Sequence, residues 1–150
     1  ICKDEAGMAT VMGHEVAHAL ANHGQQRMSA GLVQQLGAGV AQAAVGGKSA
    51  ETQALVMQAY GIGTQVGGML PFSRSHETEA DEIGLTLMAI AGYNPETSVA
   101  FWERMSANSG GAKPAEIMST HPSDETRIAN LKRLIPKAKA EAAKFGVVFK

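Results

Sequence analysis

Only one cysteine, Cys2, occurs in the 150 residues. That excludes a disulfide framework and a Cys-rich structural zinc site. Any bound metal must therefore draw on His, Asp or Glu. Cys2 follows no apolar segment and is expected to be an ordinary small residue, not a lipid-attachment site. Aromatic residues are scarce, at 5%, while Met is frequent, at 8 residues. A core of that composition is expected to be helical and adaptable. An excess of either charge is also absent: Lys+Arg 13 stand against Asp+Glu 14, a formal net charge of -1. Electrostatics thus offers no reason to expect a nucleic-acid partner.

Strand patterning is nearly missing, with Val147 to Phe149 the one candidate, and no internal repeat is present. Two stretches lack charge altogether, between Arg27 and Lys48 and between Glu51 and Arg74. Each is long enough to raise the question of a membrane span. Gln, Gly, Ser and Thr interrupt both, which lowers their transfer free energy too far for a spanning helix. Two amphipathic helices split around Gly46-Gly47 are expected instead, and a membrane-touching or partner-facing role is the alternative.

What is present suits one globular domain over residues 1–150: 45% of residues are hydrophobic and 18% charged. Four helices are expected outside the middle region. The first runs from Glu5 to His23, with Asp4 as N-cap and Gly24 as stop. Gly7 and Gly13 inside it each cost about 1 kcal/mol relative to Ala, so close packing against them is expected. The second runs from Arg74 to Ala91, with Ser73 before it and Gly92 after it. A third starts at Asn94-Pro95-Glu96, where Asn94 is a good cap and Pro95 loses no hydrogen bond. A fourth starts near Pro122-Ser123 and is interrupted or kinked at Pro136. Ser106 to Pro114 reads as a flexible loop.

The chemistry concentrates in Gly13 to His18, GHEVAH. On a helix, His14 and His18 lie one turn apart on the same face, so two imidazoles can converge on one metal ion. Glu15 is rotated by about 100 degrees and can reach a water at that metal without being a ligand. This is the pattern of a zinc hydrolase, in which the metal acidifies a water and the glutamate takes its proton. Chance alone places such a motif in a chain of this length about a few times in a thousand, so it needs support from elsewhere. A catalytic zinc also needs a third protein ligand and an open fourth position. The arrangement HExxHxxGxxH fails here, because Ala21 and Gly24 occupy its last two defining positions.

Ser73 to Asp81, SRSHETEAD, is the best source of the third ligand. Glu77 and Asp81 are four apart and share a helix face, where like charges repel unless a cation lies near. Glu77 is expected to ligate the metal, and Asp81 to accept the free ring N–H of a ligating histidine. A solvent-facing acidic helix N-terminus is the plain alternative. A carboxylate-bridged di-iron protein would need a second Glu-x-x-His pair beside Glu15 and His18, and none is evident.

GHEVAH followed by SRSHETEADEIG resembles the HtpX-like and CAAX-prenyl-protease-like zinc metallopeptidases, which pair HExxH with a downstream ExxxD. Ser119 to Ile128, STHPSDETRI, is similar to the THP segment of that family's bacterial envelope branch, the BepA and LoiP type. The resemblance implies a mainly α, zincin-like (gluzincin) helical core. A small β-sheet usually precedes the zinc helix in the family, so this chain is expected to be the C-terminal part of a larger catalytic domain. The resemblance carries one Zn2+ per chain to His14, His18 and Glu77, with Glu15 as catalytic base. It makes His121 a candidate fourth ligand in a resting state, or a hydrogen-bond donor to the tetrahedral intermediate. A loop histidine packing locally is the alternative for His121. Arg127 is expected either to pair with a carboxylate near the site or to steady substrate. His23, at a helix C-terminus, and His76 are expected to be structural.

The expected activity is zinc-dependent endopeptidase, with a zinc-binding but inactive chaperone or adaptor module as the rival. The resemblance implies polypeptide substrates, namely misfolded or misassembled envelope proteins. It also implies a location in the periplasm or at the outer membrane.

Overall fold

Asp4 opens the first helix. Its carboxylate accepts a 2.7 Å hydrogen bond from the Gly7 N–H, satisfying one of the donors that a helix start leaves unpaired. The computed structural model describes residues 2–107, 121 and 125–149. These form α1 (Glu5–Leu20), α2 (His23–Val45), α3 (Ala50–Thr64), a π-helical segment (Gln65–Met69), α4 (Leu70–Ile90), α5 (Glu96–Ala107) and α6 (Glu125–Ala143). The chain divides into two compact units, one of Ile1–Ala21 with Glu77–Lys150 and the other of Asn22–His76.

The fold is the mainly α, zincin-like core that the sequence implied. No strand occurs among the described residues, and residues 147–149 lack regular structure. Three of them cannot form a sheet without a partner strand.

In the first unit, α5 packs between α1 and α6. Phe101, Trp102 and Met105 of α5 are buried together with Leu85 and Met88 of α4 and Leu131 and Leu134 of α6. The two glycines Gly13 and Gly84 let α1 and α4 cross at backbone contact. A Cβ on Gly13 would lie 2.7 Å from the Gly84 carbonyl oxygen, and one on Gly84 would lie 2.9 Å from the His14 nitrogen. The helix-weakening Gly13 is thus the point at which the two motif-bearing helices touch. α4 ends where expected, at Gly92 with φ 91.

The expected ends of several elements are corrected. The first helix stops at Leu20 instead of running to His23. Asn22 takes the left-handed conformation (φ 56), which Asn tolerates better than other non-glycine residues, and Gly24 lies inside α2. His23 therefore stands at the start of a helix, not at its C-terminus. α4 begins at Leu70 instead of near Arg74, because helical backbone continues into it from the π-helical segment; Ser73 thus lies inside the helix and caps nothing, and its hydroxyl accepts a 3.0 Å hydrogen bond from Arg27. Ser106 and Ala107 belong to α5, and the rest of the expected loop lies outside the described residues. Pro136 does not interrupt α6. A proline removes a single donor, while buried Leu134, Ala138 and Ala142 hold the turns on both sides against the core.

In the second unit, α2 and α3 form a hairpin broken at residues 46–49, around the expected Gly46-Gly47. Ser49 caps α3 by accepting from the Thr52 N–H. His23 and His76 are both buried and stack face to face at 4.1 Å, with the His76 Nε2 2.9 Å from Gln26 Oε1. No helix among the described residues is long and apolar enough to cross a membrane.

Candidate metal centre

Helical spacing on α1 places His14 and His18 side by side. Their Nε2 atoms are 3.0 Å apart. α4 supplies Glu77, whose Oε2 lies 3.2 Å from His14 Nε2 and whose Oε1 lies 3.2 Å from His18 Nε2. His121 completes the group. Its Nδ1 is 3.2 Å from His14 Nε2 and 2.8 Å from Glu77 Oε1. One ligand atom from each of these four residues lies within 4.8 Å of every other, a group that can hold a metal ion.

Three ring nitrogens and a carboxylate crowded this closely repel one another unless protons or a cation sit between them. Burial disfavours charge on His14, but hydrogen bonds to Asp81 and then Glu77 outweigh it and raise its pKa above the usual histidine value. For Glu77, burial pushes upward. Hydrogen bonds from His121, His14 and His18 dominate and hold its carboxyl well below the usual carboxylate range.

Asp81, one turn after Glu77, places Oδ1 3.0 Å from His14 Nδ1 and is buried. Arg127 of α6 donates to the same carboxylate, from Nε to Oδ2 at 2.8 Å and from Nη2 to Oδ1 at 2.6 Å. Its Nη1 also lies 3.4 Å from Glu77 Oε2. The guanidinium carbon sits 3.5 Å over the Trp102 ring, so the cation is buried between an aromatic face and two carboxylates. Of the two alternatives for Arg127, the structure shows the carboxylate pairing.

Glu15 lies outside the group of four. Half-exposed, it reaches His121, with Oε1 3.4 Å from Nε2. Glu79, between the two motif carboxylates in sequence, is exposed and takes no part in the cluster. Thr120 and Pro122 of the THP segment lie outside the described residues. Sequence reasoning placed Trp102 on a core helix but missed its role beneath Arg127. Its burial was legible from α5's apolar spacing, whereas its contact with Arg127 was not.

Comparison with known proteins gives the setting for this geometry. A model described as Peptidase family M48 matches residues 1–135. The chain is 38% identical over 145 residues to the mitochondrial metalloendopeptidase OMA1 of Saccharomyces cerevisiae, covering 92% of this chain and 39% of that protein. It is 33% identical over 138 residues to the mitochondrial metalloendopeptidase OMA1 of Homo sapiens, covering 87% of this chain and 26% of that protein. It is 31% identical over 136 residues to the beta-barrel assembly-enhancing protease of Escherichia coli, covering 85% and 27%. The chain therefore spans well under half the length of these curated relatives. No solved structure matches. The expected location in the periplasm or at the outer membrane is overturned, because the yeast, plant and human relatives are mitochondrial by name.

Proposed function

The chain belongs to peptidase family M48, and from that premise we propose that it is a zinc-dependent endopeptidase with His14, His18 and Glu77 as the metal ligands. The observation that carries the reading is the convergence of these donors. Their separations of 3.0, 3.2 and 3.2 Å approach the edge of about 3.3 Å expected for a tetrahedron with zinc–ligand bonds near 2.0–2.1 Å. Two imidazoles and one carboxylate are also the donor set of a catalytic zinc. The proposal treats residues 1–150 as one zinc peptidase domain that includes both units.

When bound, zinc supplies the Lewis acidity that lowers the pKa of a water and polarises the scissile carbonyl. Glu15 accepts the proton as the water oxygen attacks the carbonyl carbon. It then passes that proton to the amine as the C–N bond breaks. Asp81 fixes His14 by accepting from its Nδ1–H, which leaves Nε2 as the ligand atom. Arg127 holds Asp81 in that position. Met12 and Val16 of α1 with Met88 and Tyr93 line an apolar groove of about 290 Å³. The substrates are polypeptides, and the resemblance that began from the motifs favours misfolded or misassembled ones.

A second reading, a latent or inactive zinc module, draws on one contact: the His121 ring nitrogen lies among the ligand atoms, where a fourth ligand would sit. One experiment separates the two. Glu15→Gln retains zinc and loses cleavage of an unfolded test protein in the active enzyme. His121→Ala releases cleavage in a latent enzyme and does nothing in a dead one. Cleavage by Glu15→Gln at the wild-type rate would overturn the mechanism.

A further inference from the structure

Trp102 meets the metal centre at two points. The Arg127 guanidinium carbon lies 3.5 Å over the centre of its ring, and the His14 ring stands 5.8 Å away between centroids, inclined by 68°. All three side chains are buried, and Phe101 packs edge-on against Trp102 at 5.3 Å. The indole is thus a fixed surface in the core, with a cation and a candidate ligand resting against it.

A guanidinium makes its hydrogen bonds in its own plane and offers its faces for stacking. In that plane, Nε and Nη2 of Arg127 donate to the two oxygens of Asp81, and Nη1 lies 3.4 Å from Glu77 Oε2. A two-bond grip of this kind keeps guanidinium and carboxylate coplanar. It does not fix the tilt of the shared plane, because both groups end flexible side chains. Trp102 removes that freedom. At 3.5 Å a strongly tilted guanidinium would drive a nitrogen into the ring, so the cation must lie nearly flat. The indole therefore sets the plane of Arg127, and Arg127 sets the plane of Asp81. Asp81 Oδ1 in turn meets His14 Nδ1 at 3.0 Å. Filling the core at this position needs only apolar bulk. Holding a cation flat needs an aromatic face.

We propose that Trp102 is a positioning residue of the metal centre, acting through Arg127 and Asp81 to hold His14 with Nδ1–H donating and Nε2 turned to the metal. This rests on the reading of His14 as a zinc ligand.

The test uses the whole chain and two apolar substitutions that differ in the aromatic face. Trp102→Phe keeps a smaller face, and Trp102→Leu removes it. Trp102→Met, unbranched and adaptable, replaces the leucine variant if that fails to fold. Zinc affinity is read by chelator competition on protein shown to be folded by circular dichroism. Trp102→Leu should lower it about tenfold, and Trp102→Phe by no more than about threefold. A double-substitution cycle reads the dependence on Arg127. In Arg127→Lys, which keeps the charge without the flat face, Trp102→Leu should cost less than about twofold. A further readout needs no metal. In the isotope-labelled, metal-free chain at a pH of about 8, the nitrogen shifts of the His14 ring report its tautomer. Trp102→Leu should lower the Nδ1–H fraction, and Trp102→Phe should preserve it. Equal losses of affinity in the two variants would overturn the proposal and leave Trp102 a core residue. So would the full loss persisting in Arg127→Lys, or an unchanged His14 tautomer in Trp102→Leu. A wild-type chain that binds no zinc would instead overturn the catalytic reading, and the tautomer would then decide the role of Trp102.

Discussion

Arg127 grips both oxygens of Asp81, at 2.8 and 2.6 Å, and the same Asp81 carboxylate lies 3.0 Å from the Nδ1 of His14. A cation on α6 therefore sets the orientation of an imidazole on α1 through a carboxylate on α4. Trp102 covers the open face of that cation, so the chain of contacts is screened from water.

Asp81→Asn keeps the shape of this link but weakens the acceptor facing His14. Zinc affinity is expected to fall about 10–100-fold, measured by competition with a chelating dye. Arg127→Ala removes the cation and leaves the Asp81 charge buried without it, at a cost of about 3–5 kcal/mol seen as a lower urea midpoint. Unchanged zinc affinity in Asp81→Asn would show that Asp81 does not position His14.

The assignment of the third ligand rests on which carboxylate faces the histidines. Glu77→Ala should abolish stoichiometric zinc binding, whereas Glu79→Ala, at an exposed position, should bind zinc as wild type does. Metal analysis after dialysis checks both. Retention by Glu77→Ala together with loss by Glu79→Ala would reverse the assignment.

Gly84→Ala tests the helix crossing. Its new methyl would meet the Gly13 carbonyl carbon and the His14 nitrogen, both at 2.9 Å, and backbone cannot move aside as a flexible side chain can. A loss of about 1–3 kcal/mol is expected from the forced separation of α1 and α4. Zinc affinity should fall with it, since Glu77 and His14 are carried on those two helices. Wild-type stability would mean that the crossing is looser than the structure shows.

Acid should release the metal through the histidines. A ligating imidazole must be neutral, so a proton on His14 competes with zinc. The pKa of His14 is raised in the metal-free site, which sets the sign: affinity is constant above that raised value and declines as pH falls through it. The decline therefore begins above pH 6.5, where an ordinary histidine titrates. Glu77, held well below the usual carboxylate range, contributes nothing to this decline. Zinc titrations between about pH 8 and 5 read the profile. An affinity flat to pH 6 would contradict it.

Much of this protein was legible in short stretches of sequence because its determinants are local. His14 and His18 meet through the helical repeat alone, and Glu77 and Asp81 share a face for the same reason. The Asp4 cap and the Gly92 stop depend only on neighbours along the chain. Other local signals were outcompeted. The left-handed turn at Asn22 ended α1 before Gly24 did, helical backbone continued through Ser73, and core contacts carried α6 through Pro136.

By itself, then, the sequence determined the donor types, their pairing on two helix faces and the reaction class they suit. Only the tertiary structure decided that Gly13 and Gly84 bring those faces within ligand distance, that Arg127 reaches Asp81 over Trp102, and that His121 enters the cluster. The physical reason is separation along the chain. Glu77 stands 63 residues beyond His14 (77 − 14), and His121 lies 107 residues beyond it. No helical period links positions that distant, and only packing of the core does.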